Sequence, residues 1–232
     1  MVEFNSMTLL TKSLSNLKLE QLIDLAKSTD ALLKKPTTLG PQNDDELWDW
    51  IKDNLGLQIP RKRICPDHQS PFEFLADVYF ERVTASIAIA NRGGSKTMIS
   101  AIIHLLNSLF RPGCESAQVG AVEQQARRAY TNLQQLLKAH GKVDLYSDHP
   151  MVQRSVERET TFTNGSMLEI LIGTPAGVNG PHPQKLGTDE AELMPEDVFQ
   201  ESRNMSQSKG GILAQDWITS TRKGAHGPMQ KL

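Results

Sequence analysis

A chain of 232 residues, 38% hydrophobic, 22% charged and with a net charge of -2, is long enough for one sizeable α/β domain and has the composition of a soluble globular protein. No stretch approaches the ~20 apolar residues that cross a bilayer, and polar and acidic residues interrupt the apolar core an export signal needs in MVEFNSMTLLTKSLSNLKLE. Two cysteines, Cys65 and Cys114, give no disulfide framework and suit a reducing cytoplasm; the near-neutral charge argues against a basic nucleic-acid coat but leaves room for a local patch.

The first third reads helical. Leu19, Leu22, Ile23 and Ala26 recur at helical spacing, and Pro36 ends the run. KPTTLGPQN is a linker by composition, and DDELWDWIKDNLG is a second helix with acids in its first turn and Gly56 just past its end. The Pro-rich, basic QIPRKRICPDHQSP marks a boundary, so a helical region over residues 1–60 is expected ahead of a main domain over 61–232. Cys65 and His68 form a C-x-x-H pair, but no second pair stands at zinc-ligand spacing.

In the main domain the pattern changes. PFEFLADVYFERV reads as a helix, TASIAIA as a short buried strand, and KTMISAIIHLLNSLF as a helix apolar almost all round, as one packed on a sheet must be. SAQVGAV is a second strand. In EQQARRAYTNLQQLLKA, the residues Ala126, Ala129, Tyr130, Leu133 and Leu137 share one helical face. RETTFTNGSMLEILIG is a hairpin signal whose Asn164-Gly165 is the dipeptide a type I′ turn prefers. QKLGT and GILAQDWITST complete the strands. The alternation predicts an α/β fold with a mainly parallel sheet flanked by helices and one β-hairpin.

Three stretches carry chemistry. NRGGSKT lies between a strand and a buried helix, the setting of a phosphate-binding loop, where backbone N–H groups cradle anionic oxygens, a lysine reaches the phosphates and a hydroxyl holds Mg²⁺. Gly93 and Gly94 free the backbone, Lys96 brings the charge and Thr97 the hydroxyl. Both glycines of the usual G-x-x-x-x-G-K-[ST] pattern are missing, replaced by Ala90 and Ser95. LGTDEAE offers Asp189 at a strand tip to hold the metal and Glu190 beside it as a general base. ITST ends a third strand in Thr219, Ser220 and Thr221, hydroxyls that can sense a γ-phosphate.

Taken as a set, these stretches resemble the N-terminal ATPase domain of phage large terminases, the motors that pump DNA into an empty capsid. In that family the loop commonly reads like GGRGSGKT, and here ANRGGSKT keeps its arginine as Arg92 together with Lys96 and Thr97. The family's acidic strand end, DEA, is matched by Asp189, Glu190 and Ala191, and its hydroxyl-rich coupling motif by Thr219-Ser220-Thr221. Gln69, in CPDHQSPFEF, matches the glutamine that contacts adenine.

The resemblance covers residues 61–232 and implies a P-loop NTPase core. ATP would lie on Asn91, Arg92, Gly93, Gly94, Ser95, Lys96 and Thr97, with Mg²⁺ on Thr97 and Asp189. Glu190 would activate water, Arg92 would stabilise the triphosphate or its transition state, and Thr219, Ser220 and Thr221 would couple loss of the γ-phosphate to movement. Implied partners are double-stranded DNA, the portal protein and the small terminase subunit. A homo-oligomeric ring on the capsid is implied, monomeric in isolation, at work in the host cytoplasm during virion assembly. The family's nuclease domain follows the coupling motif, and a chain ending at Leu232 is expected to lack it. Where some relatives place a trans-acting arginine this chain has Asn179; Arg158, Arg203 and Arg222 stand as alternatives. A helicase-like or other nucleic-acid remodelling ATPase would share the same ATP chemistry, and a non-hydrolysing partner-binding module with a decayed loop is a third reading.

Overall fold

The structure, a computed structural model, describes residues 40–91, 93–137 and 151–221. The helix expected between Leu19 and Pro36 lies outside the described residues, as do Arg92 and Arg222. Contacts divide the chain into Met1–Leu39 and Gly40–Leu232, and every described residue belongs to the second unit.

Helix α1 (Asp44–Leu55) starts at Asn43, whose side chain accepts from the Glu46 N–H, and stops at Gly56 in the left-handed conformation. It buries Leu47, Ile51 and Leu55 in the same core as α2 (Pro71–Tyr79). A full capping box fixes the start of α2: Ser70 and Glu73 satisfy each other's backbone N–H groups, with Pro71 at the first helical position.

Seven strands follow: β1 (Ala85–Ile89), β2 (Glu115–Gly120), β3 (Val152–Ser155), β4 (Glu159–Phe162), β5 (Met167–Ile172), β6 (Lys185–Asp189) and β7 (Gln215–Ser220). Their order across the sheet is β1-β7-β6-β2-β5-β4-β3. The first five in that order run parallel, and β4 pairs antiparallel with both its neighbours. Parallel pairing carries the C-terminal ends of β1, β7 and β6 to one edge, where open α/β sheets bind ligands. Helices α3 (Lys96–Phe110) and α4 (Glu123–Leu137) contribute Ile102, Ile103, Leu106 and Leu133 to the larger core on one face. The short α5 (Pro175–Val178) and α6 (Glu196–Ser202) contribute Val178, Val198 and Phe199 to a second core with Val119, Leu186 and Ile218. The five residues expected on one face of the EQQARRAY helix are all buried.

Three local expectations are corrected. TASIAIA forms a strand, but not a buried one: β1 is an edge of the described sheet, leaving Ile87 and Ile89 43% and 55% exposed. The hairpin joins β4 to β5 as expected, yet its turn is not type I′, because only Gly165 has positive φ (+84°). Gly165 N–H donates to the Phe162 carbonyl at 3.0 Å and Phe162 N–H to the Ser166 carbonyl at 2.9 Å, a three-residue loop with glycine in the left-handed position. Asn164 serves through its side chain, donating to the Ser108 carbonyl at 2.8 Å and accepting from Ser166 N–H at 3.1 Å. The third correction is β3, too short and polar (VQRS) to register as a strand, which extends the hairpin into a three-stranded meander.

Candidate functional site

The strand–loop–helix unit is built as the sequence suggests. β1 ends at Ile89, the chain turns through Gly94, whose N–H donates to the Asn91 carbonyl at 3.1 Å, and α3 begins at Lys96. Gly93 (φ +83°) and Ser95 (φ +54°, ψ +19°) both occupy the left-handed region. Ser95 therefore adopts a backbone geometry that glycine reaches freely and an L-residue reaches at a cost of ~1–2 kcal/mol. The serine is accommodated by strained backbone. The N-terminus of α3 has no side-chain cap and no acid in its first turn, which leaves its N–H groups and partial positive charge for an anion. Lys96 lies over the loop, its Nζ donating to the carbonyls of Ala90 at 2.8 Å and Asn91 at 3.1 Å.

Two strands away, β6 delivers the acids. Asp189 is buried, and both its oxygens are engaged: Oδ2 accepts from Thr97 Oγ1 at 3.0 Å, and Oδ1 from Thr219 Oγ1 at 2.8 Å and Glu190 N–H at 3.0 Å. Glu190 has φ +53°, the second left-handed non-glycine residue in the site. Its N–H also donates to the Thr219 carbonyl at 2.8 Å, and its carbonyl accepts from Leu193 N–H at 2.9 Å. Backbone strain of this kind persists where surrounding bonds over-determine it, and it gathers at functional sites.

The hydroxyls that end β7 meet those acids. Thr219 binds Asp189 as above, Ser220 Oγ accepts from Glu192 N–H at 3.2 Å, and Thr221 Oγ1 donates to Glu190 Oε1 at 3.2 Å. Ala90 N–H donates to the Ser220 carbonyl at 3.2 Å, which ties the start of the loop to the same strand end. Lys96, Thr97, Asp189, Glu190, Thr219 and Thr221 thus form one connected cluster.

Beside the loop is a cavity of about 300 Å³, lined by Lys96 and Gly94 on one side and by Gln69, His68, Pro71 and Phe74 on the other. Gln69 immediately precedes the capped start of α2, and its amide donates to Asp77 Oδ2 at 2.9 Å. Arg63 donates to Glu73 at 2.8 Å, and that bond, with the Ser70 N–H, pulls the Glu73 carboxyl down to about 2, anchoring the segment before α2. His68 was noted in the sequence only as half of the C-x-x-H pair and Phe74 was not singled out; their nearness to Gln69 in the chain was the available signal. A second cavity, about 350 Å³, lies over Ala85, Leu186, Asp216 and Arg203 on the other face of the sheet and touches none of the cluster.

The arginine alternatives lie elsewhere. Arg158 donates to Glu123 at 2.6 Å, and Arg203 borders the second cavity.

An ATP–Mg²⁺ group fits these residues: a hydroxyl and a carboxylate converge at 3.0 Å beside an uncapped helix start, with a lysine over the loop and an open cavity next to it. Among the described residues no cluster of three or more His, Cys, Asp or Glu side chains is set to hold a metal by itself, so a metal here would share its coordination with hydroxyl, phosphate and water oxygens.

The sequence matches no protein-family model and no curated protein. Solved structures do match. The ATPase domain of the large terminase of Thermus phage P74-26 superposes with a TM-score of 0.55 at 17% identity, covering 81% of this chain and 72% of that one. The large terminase of bacteriophage HK97 superposes with a TM-score of 0.59 at 13% identity, over 81% of this chain and 40% of its own. The chain therefore has the fold of the phage large-terminase ATPase domain.

Proposed function

We propose that the chain is an Mg²⁺-dependent ATPase, the motor domain of a large terminase that drives double-stranded DNA into a procapsid. The observation that carries the reading is the joining of the loop to the acid pair, Thr97 Oγ1 to Asp189 Oδ2 at 3.0 Å, at the C-terminal edge of the parallel part of the sheet. Lys96 would bind the β/γ phosphates, and Thr97 with Asp189 would hold Mg²⁺, which when bound neutralises charge on the phosphate oxygens. Glu190 would take a proton from the attacking water, its carboxylate oriented by Thr221 Oγ1 at 3.2 Å. Gln69 would meet the base in the cavity beside the loop. Ser220 and Thr221 would report loss of the γ-phosphate, because their hydroxyls are bonded to the segment that carries Glu190 and Glu192. Arg92 would stabilise the triphosphate.

In this reading the portal protein and small terminase subunit are the partners, and copies assemble in a ring. The fold shared with the P74-26 and HK97 proteins supports it, and no helix among the described residues is long and apolar enough to cross a membrane. The test is Glu190→Gln. It should bind ATP like the parent and hydrolyse it at least ~100-fold more slowly, since general-base catalysis contributes about 10²–10⁴. Binding and turnover both intact would remove Glu190 from the chemistry.

A further inference from the structure

Beneath the site, on the face that α3 covers, a row of paired residues crosses the sheet. Gln118, Gly187 and Trp217 are register partners on β2, β6 and β7. The next row on the same face, two residues along each strand, pairs Asp189 with Thr219. Ser100 of α3, one helical turn beyond Lys96 and Thr97, bridges the lower row. Its hydroxyl accepts from Trp217 Nε1 at 2.8 Å and donates to Gln118 Oε1 at 2.7 Å. Gln118 Oε1 also accepts from His104 Nε2 at 3.0 Å, and Gln118 Nε2 donates to the Val119 carbonyl at 3.1 Å. Ser100, His104, Gln118 and Trp217 are all at most 1% exposed. Gly187 is where this network rests on β6: a Cβ there would stand 2.7 Å from Gln118 Oε1, 2.8 Å from Trp217 Nε1 and 2.9 Å from His104 Nε2.

We propose that Ser100, Gln118 and Trp217 are positioning residues that lock the phosphate-loop helix to β7 and β2, across Gly187 of the β6 strand between them, so that Lys96 and Thr97 keep one register against Asp189 and Thr219. This rests on the ATPase reading above. The physical reason is directional bonding in a dry setting. Purely apolar packing between a helix and a sheet tolerates small slides, whereas buried donors and acceptors lose their partners on sliding and find no water to replace them. Two bonded groups lead directly to a site group on their own element, Ser100 to Thr97 and Trp217 to Thr219, and Gly187, against which the network packs, leads to Asp189. The lock therefore acts on the geometry of the Thr97–Asp189–Thr219 chain of hydrogen bonds and touches no nucleotide itself.

The test compares the parent with Ser100→Ala, Trp217→Phe and the double variant, at a temperature where circular dichroism shows all of them folded. Each single change should lower kcat for ATP about tenfold while KM and the affinity for a fluorescent ADP analogue stay within about threefold. The double variant should be no slower than the slower single, because both changes break one unit. Without nucleotide, amide hydrogen exchange should quicken at residues 96–99 and 219–221 in Ser100→Ala, a readout that stands alone should Trp217→Phe fail to fold. Turnover within about twofold of the parent, losses that multiply in the double variant, or unchanged exchange would overturn the positioning role alone. A parent that neither binds nor hydrolyses ATP would overturn the ATPase reading, and this role with it.

Discussion

Thr97 Oγ1 and Asp189 Oδ2 stand 3.0 Å apart across 92 positions of sequence. The contact exists because β6, which ends in Asp189, is separated from the loop-bearing β1 by β7 alone, and all three end at the same edge. Thr219, on the intervening strand, completes the arrangement by donating to the other oxygen of Asp189 at 2.8 Å. One carboxylate thus holds the loop helix, the acid strand and the hydroxyl strand in register.

Asp189→Asn separates the structural work of that side chain from its charge. The amide keeps an oxygen for Thr219 and an N–H₂ that the Thr97 hydroxyl can accept, so the fold should survive. Nucleotide affinity measured without Mg²⁺ should stay within about threefold of the parent, the gain on adding Mg²⁺ should vanish, and turnover should fall at least ~100-fold. An Asp189→Asn variant that still responds fully to Mg²⁺ would move the metal elsewhere.

Ser95→Gly should stabilise the chain. Ser95 sits at φ +54° with no side-chain capping bond to lose. Glycine removes an αL cost of ~1–2 kcal/mol and gives back roughly half of it through greater freedom of the unfolded chain, for a net gain of about 0.5–1 kcal/mol. Urea denaturation reads this directly. A lower midpoint at unchanged slope would show that the serine side chain has a favourable role that the strain conceals.

Acid should weaken the fold through His104. Burial beside Trp217 pushes its pKa from 6.5 down to about 4, with the Gln118 hydrogen bond opposing the shift. Between those values the unfolded chain binds a proton that the folded chain refuses, so stability is intact above pH ~6.5 and is lost progressively as pH falls toward ~4, to a total of ~3 kcal/mol. The comparison to make is with His104→Gln, which keeps a donor but does not titrate here. The parent should lose about 2 kcal/mol more than the variant between pH ~7 and pH ~5. Burial raises the pKa of Asp216 and Glu169, which act in the opposite sense and cancel in that difference. Equal slopes would mean that His104 is protonated in the fold or reached by water.

How much of this was legible in the sequence depends on how local each signal is. The loop, the all-round apolar α3 and the Asp189-Glu190 pair stand in short contiguous stretches, where residue type and helical period are enough to read them. The bonds from Thr219 to Asp189 and from Thr97 to Asp189 depend on the strand order β1-β7-β6, which no local pattern encodes. The exposure of β1 was hidden for the same reason, since TASIAIA reads identically as an edge or a central strand. SAQVG and QKLGT read as strands, and nothing local marks out Gln118 or Gly187 within them. Each is explained by partners from other elements, Ser100 and His104 for the glutamine and Gln118, Trp217 and His104 for the glycine. The Asn164-Gly165 turn shows the converse, in that tertiary bonds from Asn164 to Ser108 go with a turn other than the one its dipeptide prefers.

The most direct measurement is a titration of the parent and of Lys96→Ala with a fluorescent ATP analogue, with and without Mg²⁺. Among the described residues Lys96 is a cation that lies over the loop, donating at 2.8 Å to the Ala90 carbonyl, and charge-assisted bonds of the kind it would make to phosphate are each worth ~1.5–3 kcal/mol. The parent should bind saturably and more tightly with Mg²⁺, and Lys96→Ala should bind at least about tenfold more weakly. A parent that shows no saturable binding, or a Lys96→Ala variant that binds as the parent does, would contradict the nucleotide site at residues 91–97.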